Sequence, residues 1–158
     1  MSKSKVTLVA ALLLGAVAAT AHAEVSVKEP WVRATVTGQK ATGAFMQLTS
    51  TEPVRLVEAQ SAAAKIVEIH EMRMDGDRMM MKAVPGLDIV PGKALDLKPG
   101  GYHVMLIDVV KPLNAGDKVP LTLVVEGADR KRATIEVSAE VRALNAGSRP
   151  AAPMHPHH

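Results

Sequence analysis

The chain has no cysteine. That absence removes disulfides, thiolate zinc sites, iron–sulfur clusters, thiol nucleophiles and blue copper centres built on a Cys ligand. Aromatic residues are scarce: Trp31, Phe45 and Tyr102 are the only ones. Single-stranded nucleic acid is held on stacking platforms of several aromatics, so that class is disfavoured. A net charge of +3 overstates how basic the protein is, because Lys3 and Lys5 lie in a leader. Without them 17 basic residues face 16 acidic ones. The one surviving basic run, Arg130-Lys131-Arg132, is too short for a nucleic-acid or membrane footprint. The nucleophile elbow, paired carboxylates and H-E-x-x-H are missing too, so no enzyme activity is expected.

The first residues read as a Sec-type signal peptide, 1–23. Lys3 and Lys5 form the positive region, Val6 to Ala19 the apolar run and Ala21-His22-Ala23 the cleavage site. The apolar run falls short of the roughly 20 residues that span a bilayer. No cysteine follows it, so neither a membrane anchor nor lipidation is expected. The mature protein is expected to begin at Glu24 in an oxidising, periplasmic compartment.

From 24 to 144 short apolar runs alternate with Gly- and Pro-containing breaks, among them Thr37-Gly38, Asp75-Gly76, Pro91-Gly92 and Pro99-Gly100-Gly101. Strands at this spacing predict an all-β sandwich or barrel. Ser61–Lys65 has room for one helical turn. Residues 145–158 are small, Pro-rich and without apolar bulk, which predicts a flexible C-terminal tail.

Nine methionines and a few histidines remain to be explained. His70 to Met81 reads as a hairpin with Asp75-Gly76 as its two loop residues. In that register His70 lies opposite Met81 and Met72 opposite Met79, all four on one face. Met72, Met74, Met79 and Met80 have two readings, auxiliary ligands or a docking surface. His103 and Met105 alternate about Val104 and project together from a second strand. Imidazole with thioether suits Cu(I) rather than zinc, calcium or magnesium. Spacing alone leaves two readings open, a Cu(I) site and a methionine-filled core.

The separations are His70, ten residues, Met81, twenty-one residues, His103, Val104, Met105. With the flanks Leu97-Lys98-Pro99-Gly100-Gly101-Tyr102 and Pro112-Leu113 through Leu123, they resemble the signature of the PCu(A)C family of periplasmic copper chaperones. The resemblance covers about 26–140. It implies a cupredoxin-like Greek-key β-barrel or sandwich that binds Cu(I) through His70, Met81, His103 and Met105. It also implies delivery to the copper-site subunit of cytochrome oxidase, alongside Sco-type proteins. The protein is expected to act as a monomer, without nucleic acid. Met154, His155, His157 and His158 close the tail. Their imidazoles suit Cu(II), as the tails of some family members do. The competing functions are periplasmic copper storage or resistance, and a metal-free exported scaffold.

Overall fold

The computed structural model describes residues 23–145. The leader and the Met/His tail, with Met154, His155, His157 and His158, lie outside them. Ten strands follow in order: β1 (Val25–Arg33), β2 (Ala41–Ser50), β3 (Val54–Gln60), β4 (Ala64–Asp75), β5 (Arg78–Ala83), β6 (Leu87–Ile89), β7 (Leu95–Leu97), β8 (Tyr102–Val109), β9 (Lys118–Gly127) and β10 (Arg132–Arg142). The expected all-β class is what the structure shows. The helical turn expected at Ser61–Lys65 is not formed: residues 62–63 make a plain turn and β4 begins at Ala64.

The strands build one open sheet in the order β5-β4-β8-β2-β1-β10-β9-β3-β6, with β7 pairing β2 off that path. β1 and β10 run parallel; the other pairs are antiparallel. Neighbours such as β8-β2 and β9-β3 are distant in sequence, as in Greek-key connections. The sheet curls so that one face becomes the interior. Ala44, Leu48, Val104, Leu106, Leu121, Leu123 and Ala139 are wholly buried there, in one cluster fed from both ends of the sheet. Period-2 alternation decides which residues point inward. On β8, Val104 and Leu106 enter the core while His103 and Met105 take the outer face.

Two local departures shape the sheet. Val25–Val27 and Trp31–Thr35 read as separate runs in the sequence, yet β1 joins the first to Trp31–Arg33 across a register shift between Lys28 and Trp31. Glu29 there adopts φ 48°, the left-handed conformation that accommodates an extra residue. The hairpin β4–β5 is the second. It lies at the edge of the sheet, and all of β5 is exposed.

Candidate metal centre

The outer face of β4 and β8 gathers the histidines. These strands pair antiparallel with His70 directly opposite His103, Ile69 opposite Val104 and Glu68 opposite Met105. The two imidazole centroids are 5.8 Å apart with planes tilted by 54°. β8 can bring His103 to this position because Gly100, at φ 83°, turns the chain tightly just before it.

Each ring has one nitrogen occupied and one left over. His103 Nδ1–H donates to the Gly101 carbonyl at 3.1 Å, which leaves Nε2 with a free lone pair. His70 Nε2 lies 2.7 Å from Glu68 Oε2. With Nε2–H donating to that carboxylate, Nδ1 carries the lone pair, and it is buried with no partner. A carboxylate or carbonyl behind each imidazole fixes its tautomer, the usual arrangement behind a metal-ligating histidine. His103 is 4% exposed. Burial lowers its pKa below the ordinary imidazole value; the Gly101 hydrogen bond pulls the other way, and His70 and Arg33 lower it further. The ring is therefore neutral and open to an electrophile at neutral pH.

Met105 sits two residues along β8 from His103 on the same face, half-buried. Met81 stands on β5, at the exposed edge of the sheet. The expected pairing of His70 with Met81 and Met72 with Met79 is corrected by the structure: His70 pairs with Ala83, Met72 with Met81 and Met74 with Met79. The turn residues are Gly76 and Asp77, with Asp75 and Arg78 closing the hairpin. Only Gly76 has positive φ, at 62°, as a type II′ turn requires at its first central position. The reading of Asp75-Gly76 demanded positive φ at both. Moving the loop by one residue displaces each partner by two, which preserves the face. His70, Met72, Met79 and Met81 therefore still share one side, with Met81 diagonal to His70 at a separation of roughly 7–8 Å between backbones.

Among the described residues no three His, Cys, Asp or Glu side chains gather into a group able to hold a metal ion.

Sequence reasoning missed the support around this group. Glu68, rather than Glu71, backs His70; Glu71 turns to the other face and lies 3.8 Å from Lys82. Its position two residues before His70 was a usable signal. On the opposite flank, rings run across the sheet: Trp31 to Phe45 at 4.6 Å and Phe45 to His103 at 6.2 Å. Arg33 lies 5.5 Å over Phe45, and its Nε is buried without a partner. Phe45 can lie flat only because Gly43, opposite Met105, lacks a Cβ; one placed there would meet the ring at 2.7 Å. Nothing in the local sequence announces this stack, because it depends on β1, β2 and β8 being neighbours.

Comparisons with known proteins agree with this architecture. The profile of the family described as "Putative lipoprotein LpqE-like" matches residues 25–141. "Putative lipoprotein Lxx21020" of Leifsonia xyli subsp. xyli is 33% identical over 132 residues, covering 75% of this chain and 80% of that protein. Among solved structures, the apo PCuAC domain from PmoF1 aligns with a TM-score of 0.61 and 25% identity, over 75% of this chain and 93% of that one. The solution structure of CuI-DR1885 from Deinococcus radiodurans aligns with a TM-score of 0.56 and 31% identity, over 79% and 80%. The fold is thus that of PCuAC domains.

Proposed function

The chain belongs to the LpqE-like family, and from that premise and the geometry above we propose that it is an exported copper chaperone whose ligands for Cu(I) are His70, Met81, His103 and Met105. The observation that carries the reading is the pair of facing imidazoles, each with one nitrogen engaged and the other free. A metal about 2 Å from a nitrogen on each ring lies about 3.2 Å from each centroid. Centroids 5.8 Å apart then subtend an angle of about 130° at the ion. That leaves one side open for sulfur. Met105, opposite Glu68 on β8, and Met81, opposite Met72 on β5, share this face of the sheet on the two diagonals of His70, within reach of flexible thioether side chains. The similarity to DR1885, one of whose solution structures is the CuI form, supports the same cargo here.

The donor set selects the ion. Two neutral imidazoles and two thioethers are soft and uncharged, which suits Cu(I). Arg33 stands near enough to act on the charge of His103, and it repels a dication about twice as strongly as a monocation. His103 is buried, His70 and Met105 are half-buried, and Met81 is 42% exposed. Copper therefore enters and leaves past Met81. An acceptor with thiolate ligands takes the ion by displacing the thioethers one at a time, since no thiolate on this chain competes. We assign delivery to the copper-site subunit of cytochrome oxidase, with Sco-type partners, from a monomeric chaperone released into the periplasm after leader cleavage. In this reading the tail, through Met154, His155, His157 and His158, collects Cu(II).

Native mass spectrometry with equimolar Cu(I) under reducing conditions tests the reading. One tightly held ion per chain is expected, lost in His103→Ala and weakened in Met81→Ala while the β spectrum persists. No bound copper, or unchanged affinity in both variants, overturns it.

A further inference from the structure

The hairpin β4–β5 extends beyond the site with a regular pattern that the four proposed ligands leave unexplained. Its faces are segregated. One carries Glu71, Arg73, Asp75, Arg78, Met80 and Lys82; the other carries Met72, Met74, Met79 and Met81 in two cross-strand pairs. A two-residue turn closed by Asp75 and Arg78 makes that pair hydrogen-bonded, so alternate pairs toward the sheet are not. The hydrogen bond from Val84 N to Ile69 O, six positions further on, fits this alternation. Met74–Met79 and Met72–Met81 are therefore both non-hydrogen-bonded pairs, the type with backbones about 4.5 Å apart and side chains closest.

These methionines are not core filler. Among the described residues Met74 is 60% and Met79 64% exposed. The outer pair lies four residues from His70, about 13 Å along the strand, too far to share an ion with the imidazoles.

We propose that Met74 and Met79, with Met72 as third ligand, form a second site for a soft monovalent ion at the tip of the hairpin. The proposal rests on the soft-ion reading of the inner site. Three thioethers make a neutral, weaker site than one containing imidazole, exposed at the end of a projecting arm. Met72 and Met81 stand between it and His70 and His103, so an ion captured at the tip has thioether ligands all the way inward.

The test is a titration of the chain, labelled with [13C-methyl]methionine, with Ag(I). The first equivalent is expected to shift the Met81 and Met105 methyls. The second is expected to shift Met74, Met79 and Met72, while Met46 in the core and Met80 on the opposite face stay in place. Met74→Leu/Met79→Leu, a volume-conserving change at exposed positions, should lose the second event and keep the first. In His103→Ala the tip shifts should persist without the inner ones, which separates failure of this site from failure of the chaperone reading. The proposal is overturned if the second equivalent moves only Met154, if Met80 moves with Met79, if the double variant keeps the second event, or if His103→Ala abolishes binding at the tip.

Discussion

Replacing Gly43 with alanine should reverse the usual sign of that substitution. Glycine inside a strand is normally worse than alanine by about 0.5–1 kcal/mol, and Gly43 has no positive φ that would forbid a side chain. Here the added Cβ would sit 2.7 Å from Phe45 Cζ and 3.3 Å from both Cε atoms. Carbon contacts want about 3.5–4.0 Å, so the ring must lift by roughly 1 Å. It cannot do so freely, because Trp31 lies 4.6 Å to one side, His103 6.2 Å to the other, and Arg33 over its face. Overpacking of this kind costs about 1–3 kcal/mol. The net loss is on the order of 1–2 kcal/mol, or roughly 4–10 °C in Tm for a domain of this size. Thermal and urea unfolding of the metal-free protein measure it. A cycle with Phe45→Ala isolates the clash, because Gly43→Ala should become neutral or stabilising once the ring is gone. A Gly43→Ala single variant as stable as the parent would refute the stack.

Three further outcomes follow from the site. Since burial lowers the His103 pKa, the unfolded chain binds the proton first as pH falls below about 6.5. Stability of the metal-free protein should therefore decline on acidification from that point until the folded-state pKa is passed, and level off below it. His103→Gln should flatten the slope in pH-dependent urea unfolding, and an unchanged slope would contradict it. Glu68→Ala should lower Cu(I) affinity about 10–100-fold with little change in stability, read by competition with a chromogenic Cu(I) chelator. Undiminished affinity would remove Glu68 as the group that orients His70. Gly76→Ala places a side chain at φ 62° and should cost about 1–2 kcal/mol, with loss of cross-strand NOEs between Met74 and Met79; retained NOEs and full stability would argue against the turn assigned here.

The strands, and the shared face of the candidate ligands within each strand, were legible because both depend on short-range rules. Val104 and Leu106 had to face opposite to His103 and Met105, and they do. The Asp75-Gly76-Asp77 turn was legible as a turn but not in register, since Gly76 can occupy either central position of a two-residue loop. The face survived that error because partners slip by two. Glu68 was legible by its spacing, two residues from His70 on the same face of the strand, but nothing in the sequence singled it out as the partner of that ring. The chain of Trp31, Phe45 and His103 over Gly43, with Arg33 above it, was not legible. It exists only because β1, β2 and β8 are neighbours, and strand order is a long-range property.

The central claim is that two imidazoles and two thioethers share one Cu(I). Copper K-edge X-ray absorption of the chain loaded with one equivalent of Cu(I) reads that ligand set directly. The account predicts a Cu(I) edge with two imidazole nitrogens and two sulfurs as nearest neighbours, the sulfur count falling to one in Met105→Leu. A first shell of nitrogen and oxygen alone, or one that Met105→Leu leaves unaltered, would contradict it.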